Sequence, residues 1–183
     1  WGLIWGVVSF GMMFGGIWVA RFGLGAKPLR VLLLVNVVMW GIGIVFTLRE
    51  NIWLTTIGIL IWISIMPVAE AAEQTVMQRV VPYARQGRVF GFAQAVEVAA
   101  SPLSAFLVGP LAQFWLIPYM ASPEGRASWG WLLGDGQARG IAAVFVLSSV
   151  VGLAITLAAL ASRPYRVLSD AYASAPAQSV TNP

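Results

Sequence analysis

The chain has 183 residues and a net charge of +4; 59% of its residues are hydrophobic and only 10% are charged. Because soluble domains average about 45–50% apolar and about 25% charged residues, this composition excludes an ordinary soluble domain. The sequence has no cysteine and no histidine, which excludes disulfides and thiolate metal sites, removes the commonest general base, and argues against an enzyme. The 11 basic residues are spread along the chain. A nucleic-acid surface needs them clustered on one face, so no nucleic acid is expected as a partner. No metal or cofactor is expected either.

Five apolar segments follow one another, and each is long enough to cross a hydrocarbon core about 30 Å thick. They cover residues 1–20, 29–48, 52–72, 89–117 and 140–161. They predict an all-α integral membrane protein, a helical bundle of five transmembrane helices. Residues 169–183 are rich in Ala, Ser and Pro and carry one charge, which predicts a disordered tail.

Small residues and prolines mark features within these segments. The first segment contains four glycines at helical spacing, Gly2, Gly6, Gly11 and Gly15. This spacing favours the close approach of a neighbouring helix, although glycine is also frequent in membrane helices in general. Pro102 and Pro110 predict a kink in the fourth segment, because each removes a backbone hydrogen bond.

The longest connection, residues 118–139, contains three amphipathic rings, Tyr119, Trp129 and Trp131. Such rings settle in the headgroup layer of a bilayer, so a short interfacial helix is expected there.

The distribution of Lys and Arg predicts the orientation in the bilayer. One set of loops, with the C-terminal segment, carries eight basic residues: Arg21, Lys27, Arg30, Arg79, Arg85, Arg88, Arg163 and Arg166. The opposite loops carry three: Arg49, Arg126 and Arg139. Since basic loops stay on the cytoplasmic side, a multi-pass inner-membrane protein with a cytoplasmic C-terminus is expected. The first segment then enters from outside and begins with Trp1, so an upstream portion of the chain is expected as well.

Polar side chains inside the fourth segment are the first candidates for function, because polar groups are costly in a bilayer. Glu97 lies nine residues beyond Arg88, or about 13 Å of helical rise, near the predicted midplane. Gln94, Glu97, Ser101 and Ser104 share one helix face, which should line a bundle interior or a wet cavity. Because burial disfavours a charged carboxylate, Glu97 is the leading candidate for proton coupling; a structural hydrogen-bonded pair is the alternative.

Two further carboxylates, Glu70 and Glu73, end the third segment. Glu70 lies 18 residues into it, or about 27 Å, and Glu73 lies one turn further towards the cytoplasmic interface. Two interpretations remain open: an interfacial network of ion pairs with Arg79, Arg85 and Arg88 that stabilises the turn, or a role in the passage of a substrate or ion.

Two cytoplasmic turns carry a family resemblance. Residues 15–30, GGIWVARFGLGAKPLR, resemble the Gly-x-x-x-Asp-Arg-x-Gly-Arg-(Arg/Lys) loop of the major facilitator superfamily, with Ala20 where an Asp is usual. Residues 78–82 (QRVVP) and 86–90 (QGRVF), followed by Gln94 and Ser101-Pro102, resemble the drug-exporter branch that includes macrolide-efflux-like and siderophore-exporter-like proteins.

The resemblance covers nearly all of residues 1–168 and implies a fold and a set of functional residues. The five segments are similar to helices 8–12 of a twelve-helix carrier, whose N-terminal half would lie upstream of Trp1 and act as a partner. Substrate sites in such carriers lie near the midplane between the halves. The resemblance implies a cytoplasmic gate formed by Gly16, Arg21, Lys27, Gly87 and Arg88.

The sequence therefore favours a secondary active transporter, a proton-coupled exporter of amphipathic or hydrophobic small molecules. Its transport or proton-coupling residues would be Glu97, Gln94, Glu70 and Glu73. The alternative is a membrane scaffold or assembly subunit that transports nothing.

Overall fold

A computed structural model describes residues 2–49, 51–133 and 138–175, and their regular structure is helical. The helices in chain order are α1 (Gly2–Phe22), α2 (Pro28–Val45), α3 (Ile52–Val80), α4 (Tyr83–Leu111), a π-helical turn (Ala112–Leu116), α5 (Ile117–Ala121), α6 (Pro123–Leu133), α7 (Ala138–Ala161) and α8 (Arg163–Ser174).

Four of these segments are long and apolar enough to cross a membrane. They are Pro28–Val45, Ile52–Val80, Tyr83–Ala121 and Arg139–Ala161. They match the second to fifth predicted segments, so the class of all-α membrane protein agrees with the sequence. The first predicted segment is also a helix, the 21-residue α1, but it is not among these four. A set of five spans therefore stays a prediction.

Local sequence signals explain where the helices begin and end. Gly23 and Gly25 in the α1–α2 turn both have φ of +66°, a left-handed conformation that glycine adopts without strain. The N–H of Gly23 donates to the Val19 carbonyl and closes α1. Pro28 starts α2, where its missing N–H has no cost. At the start of α3, the Asn51 side chain accepts from the N–H groups of Trp53 and Leu54.

The charged stretch between the third and fourth segments is helical, which corrects the predicted boundaries. α3 runs to Val80, beyond its predicted end at 72, and α4 starts at Tyr83, before its predicted start at 89. Hydropathy marks only the apolar part of a helix, whereas Glu, Ala, Gln, Met and Arg continue the helix as good helix formers. The turn is reduced to Val81 and Pro82, since the residue before a proline is pushed into an extended conformation.

Small residues set the packing of the long helices, which stand in a row in the order α1, α3, α2, α7. Gly11 and Gly15 of α1 lie against Ser64 of α3, and Gly15 also lies against Pro67, so these two helices are parallel. α2 runs antiparallel to α7, because its Trp40 and Gly43 lie against Gly152 and Ser149. This arrangement confirms close packing for Gly11 and Gly15. A Cβ at Gly6 would meet nothing within 4 Å.

α4 stands apart from this row. No residue within α4 is buried; the helix contacts α3 near the Val81–Pro82 turn, and the chain contacts α7 again through the π-helical turn. Pro102 lies within continuous helix, and the departure from α geometry follows Pro110. There Ile117 donates to the carbonyl of Ala112, five residues back. A proline that disrupts the regular ladder accounts for a wider turn at this point.

Two short helices, α6 and α8, lie at opposite ends of the long helices. α6 is the short helix expected between residues 118 and 139; Ser122 caps it by accepting from the N–H of Gly125. α8 occupies part of the segment predicted as a disordered tail, so that prediction is wrong for residues 169–174. The low hydropathy of that stretch reflects a surface helix that packs against α3 and α7. Residues 176–183 of the predicted tail lie outside the described residues.

Candidate functional site

A cleft between α3 and α4 brings together three of the four residues predicted for transport or proton coupling. Its volume is about 290 Å³. From α3 it is lined by Glu73, Gln74 and Met77, and from α4 by Phe90, Gly91, Ala93, Gln94 and Glu97.

Helical spacing and the turn at Pro82 together form this cleft. Glu73 and Met77 are four residues apart on α3, and Phe90, Gln94 and Glu97 are four and three residues apart on α4, so each set shares one helix face. The two faces are directed towards each other because the chain reverses direction at Val81–Pro82.

The side chain of Gln86 ties this turn together. Its Nε2 donates to the carbonyls of Gln78, at 3.0 Å, and Val81, at 3.1 Å. The carbonyl groups at the end of α3 thereby gain partners that the helix itself cannot supply. One side-chain amide of α4 thus stabilises the turn between α3 and α4.

The electrostatics of the cleft are set by carboxylates. The charges of Glu97 and Glu70 both repel the carboxylate of Glu73. Among the described residues that line the cleft, none is basic. Binding a proton or a cationic group relieves repulsion between neighbouring carboxylates. Met77 and Phe90 add apolar surface, and the amides of Gln74 and Gln94 add hydrogen-bonding groups, so the cleft suits an amphipathic guest.

The predicted transport residues fall into two groups. Glu97, Gln94 and Glu73 line the cleft together, whereas Glu70 lies one turn earlier in α3 and does not line the cleft. The face that carries Glu97 was expected to line a bundle interior or a wet cavity; in the described chain Glu97 lines the cleft and is exposed. The reason is that no described element packs over the middle of α4. Ser101 and Ser104 continue the same face of α4, and the Ser104 hydroxyl donates to the Ser101 carbonyl at 3.1 Å.

The arginines near the turn do not gather around Glu70 and Glu73. The guanidinium of Arg79 lies over the ring of Tyr172 in α8, 4.5 Å from the ring centroid. Its Nη2 also donates to the carbonyl of Ala175, at 3.2 Å. Arg85 and Arg88 are exposed on α4. The geometry therefore connects Arg79 with the C-terminal helix, where the sequence left open a network of ion pairs with the two glutamates.

The five residues predicted as a gate lie on or beside three helices, α1, α2 and α4. Arg21 is in the last turn of α1, and Lys27 precedes α2. Arg88 is exposed in α4. A Cβ at Gly16 or Gly87 would meet nothing within 4 Å. The described chain thus provides no close partner that would explain a glycine at either position.

Sequence reasoning assigned no site role to five residues that line the cleft, Gln74, Met77, Phe90, Gly91 and Ala93, or to Gln86, which bonds to the turn. The periodicity of α3 could have indicated Met77, which is one turn after Glu73. The role of Gln86 has no sequence signal, because its hydrogen bonds depend on the path of the chain through the turn. Among the residues that the structure describes, no group of three or more carboxylates is placed to hold a metal ion.

Comparison with known proteins gives no further guide: no family model, no curated protein and no solved structure matches this chain.

Proposed function

We propose that this chain is part of a secondary active transporter of the major facilitator type. In this proposal it is a proton-coupled exporter of amphipathic or hydrophobic small molecules in the inner membrane. The observation that carries the proposal is the α3–α4 cleft, where Glu73 and Glu97 lie at one cavity between two helices long enough to span a membrane.

The chemistry of the cleft supports coupling to protons. Carboxylates within membrane-spanning segments are costly and mark ion or substrate pathways in many transporters. A carboxylate in the cleft can bind a proton, and a cationic or amphipathic guest can replace that proton. Alternate occupation of one cleft by a proton or by substrate is the basis of antiport.

The exposure of α4 supports a partner for this chain. Gln94, Glu97, Ser101 and Ser104 are exposed on a helix that is apolar enough to span a membrane. Such a polar face is stable in lipid only when it is covered by protein or by a water-filled cavity. The N-terminal half implied by the family resemblance would supply the opposite wall.

The charge distribution supports the orientation. Because membrane-spanning helices that follow one another along the chain alternate in direction, the eight basic residues and α8 belong to one end of the helices, and the three other basic residues belong to the opposite end. Basic loops stay in the cytoplasm, which favours a cytoplasmic C-terminus. The direction of transport and the drug-exporter branch are supported by the motif resemblance alone.

A membrane scaffold or assembly subunit is the second candidate. The exposed length of α4, with no buried residue, equally suits a helix that docks on another membrane protein. In that case the carboxylates of the cleft would form hydrogen bonds with the partner and would not take part in transport. The two candidates differ in whether substrate moves at all.

Transport by the intact gene product in proteoliposomes tests this proposal. With an imposed pH gradient, we expect concentrative uptake of ethidium, an amphipathic dye, into vesicles. Glu73→Gln and Glu97→Gln should each abolish uptake driven by the pH gradient and retain exchange of dye for dye, because neutral side chains still bind the guest but carry no proton. Glu124→Gln, at an exposed carboxylate on α6, is the matched control and should transport normally.

Full gradient-driven uptake by Glu97→Gln and Glu73→Gln would contradict the role of the cleft in proton coupling. Absence of uptake and of exchange for every dye of an amphipathic panel would favour the scaffold.

A further inference from the structure

The short helix α8 connects the ends of two helices that are long and apolar enough to span a membrane. It begins at Arg163, directly after the end of α7 at Ala161. At its other end, the carbonyl of Ala175 accepts from the guanidinium of Arg79, which lies in the last turn of α3. Both ends of α8 are therefore at the level where an apolar span ends, which is the surface of the bilayer.

The length of α8 matches the distance that it has to cover. α2 lies between α3 and α7 in the row of helices, so two interaxial distances of about 8–10 Å each separate α3 from α7. The 12 residues of α8 extend for about 18 Å. α8 thus crosses the end of the row and lies along the membrane surface.

α8 has an apolar face towards the other helices and a polar face away from them. Tyr165, Leu168 and Tyr172 are three and four residues apart, so they share one face, which is partly buried. The opposite, exposed face carries three charged residues, Arg163, Arg166 and Asp170. A helix with these two faces lies in the plane of the membrane interface.

The start of α2 brings two further basic residues to the same end of the row. Trp40 of α2 lies against Gly152 of α7, and the two helices are antiparallel. Followed in the same register towards the start of α2, this pairing places Arg30 beside Ser162, the residue that caps α8. Arg30 and Lys27 are both exposed. The basic side chains of α2 and α8 therefore lie side by side.

We refer to these four exposed residues as the basic surface: Lys27, Arg30, Arg163 and Arg166. Asp170 is the acidic residue of α8 and offsets one of the four charges. Clusters of four or more basic residues beside a membrane span attract anionic headgroups, and guanidinium groups match the paired oxygens of a phosphate. The charge of this surface is thus complementary to an anionic bilayer.

The composition of the basic surface suits lipid headgroups better than a protein partner. Within α8, which the structure describes completely, Val167 is the one large apolar residue that is exposed. The buried centre of a protein–protein interface is depleted of charged residues and enriched in aromatic ones. A charged surface at the level of the headgroups fits the headgroups themselves.

We propose that α8 and the start of α2 form a docking surface for the headgroups of anionic phospholipids. Arg163 and Arg166 bind the phosphates, and Val167 lies between the headgroups. Lipid thereby holds α8 on the bilayer from one side, while Tyr172 holds it on α3 from the other. The proposal does not rest on transport: it requires only that α3 and α7 span the bilayer, so it applies to a transporter and to a scaffold.

Native mass spectrometry of the purified full-length protein tests the proposal, with phosphatidylglycerol as the anionic probe and phosphatidylcholine as its zwitterionic counterpart. We expect preferential retention of phosphatidylglycerol. Arg163→Gln and Arg166→Gln should each lower that preference by about fivefold, as expected for one basic residue near an anionic headgroup. Arg126→Gln is the matched control, because it removes an exposed arginine of α6 at the opposite end of the helices; it should retain the wild-type preference.

A second measurement tests whether α8 lies on the bilayer. Because the chain has no cysteine, Val167→Cys can carry a single fluorophore in the full-length protein. In vesicles, a lipid with a nitroxide on its headgroup should quench this fluorophore more strongly than a lipid with a nitroxide near the end of an acyl chain. The quenching by the headgroup nitroxide should be stronger in phosphatidylglycerol than in phosphatidylcholine.

Three results would overturn the proposal. The first is equal retention of the two lipids by the wild type, or equal effects of Arg163→Gln and Arg126→Gln. The second is displacement of phosphatidylglycerol by inorganic phosphate, which would indicate a site for free anions. The third is the absence of quenching by the headgroup nitroxide. Arg163 and Arg166 are exposed, so their replacement leaves the contact between Tyr172 and Arg79 in place, and an unchanged circular dichroism spectrum verifies that each variant is folded.

Discussion

Glycine at two positions allows α1 to lie against α3. A Cβ at Gly15 would collide with the backbone carbonyl of Ser64 and lie close to the ring of Pro67. Gly16, the next residue, faces open space. The two neighbours have the same helical backbone and differ only in what a side chain would meet.

This difference predicts opposite outcomes for two adjacent substitutions. Gly15→Ala should lower the free energy of unfolding by about 1–3 kcal/mol, because overpacking forces the two helices apart. Gly16→Ala should be neutral or slightly stabilising, since alanine is the better helix former. Unfolding of both variants in detergent micelles, followed by circular dichroism during titration with dodecyl sulfate, measures the effect. Equal stability of the two variants would show that α1 does not pack on α3 in this register.

The polar residues of the α3–α4 cleft and Arg79 differ in whether their positions could be predicted from the sequence. Gln94 and Glu97 could be assigned to one face from their spacing alone, and both line the cleft. Glu73 is on another helix, so its position opposite Glu97 depends on the path of the chain between residues 80 and 83. Arg79 likewise contacts a residue 93 positions away in the sequence, Tyr172.

At the scale of the elements, α8 is attached to the end of α3 by a few specific contacts. The Ser162 hydroxyl accepts from the N–H of Tyr165 and caps α8 at its start. The guanidinium of Arg79 lies over the ring of Tyr172 and donates to the carbonyl of Ala175 at the end of α8. A cation at a helix C-terminus also interacts favourably with the helix dipole. The last helix is thus fixed beside α3, two turns beyond Glu73.

Removal of the Arg79 contacts should release α8. A cation–π contact contributes about 0.5–2 kcal/mol, so the backbone amides of α8 in Arg79→Gln should exchange about 2- to 30-fold faster. Tyr172→Leu should have the same effect, and Tyr172→Phe should retain protection, because phenylalanine keeps an aromatic face. Hydrogen–deuterium exchange of peptides covering residues 163–174 measures this.

Arg85→Gln is the control for this series, because Arg85 is exposed on α4 and carries the same charge. Unchanged exchange of α8 in Arg79→Gln would contradict the attachment.

At the scale of the whole molecule, the alternating directions of the long helices assign every loop to one of two ends. The parallel pair α1 and α3 and the antiparallel pair α2 and α7 follow from the contacts at their glycines. The alternation of the predicted segments placed the turns after α1 and α3 at the same end, and the parallel packing of α1 and α3 agrees with it. Counting charges in the loops then selected the cytoplasmic end.

The absence of cysteine in the chain makes this arrangement testable with single cysteine substitutions. In intact cells, a membrane-impermeant maleimide should label Ala127→Cys. Ala26→Cys, Ala84→Cys and Ala173→Cys should be labelled only after the membrane is permeabilised, because these positions are at the basic end, which we propose to be cytoplasmic. Labelling of Ala26→Cys in intact cells with protection of Ala127→Cys would reverse the orientation. Different sides for Ala26→Cys and Ala84→Cys would contradict the alternation itself.

The sequence by itself determined that the described chain is helical and apolar enough to cross a membrane, and it located the four apolar segments that the structure shows as long helices. Burial in a bilayer requires long apolar runs, and such runs are visible in the order of the residues. It also placed Gln94 and Glu97 on one helix face, because helical periodicity is a local property.

Only the tertiary structure decided how far α3 and α4 extend beyond the apolar runs and that Glu73 faces Glu97. It also showed that Arg79 contacts α8 and that the helices stand in an open row with α4 apart. These features depend on the turn at Val81–Pro82 and on contacts between residues distant in sequence. Hydropathy does not encode such contacts, because it records the solvent that each segment prefers and not the neighbour that it meets.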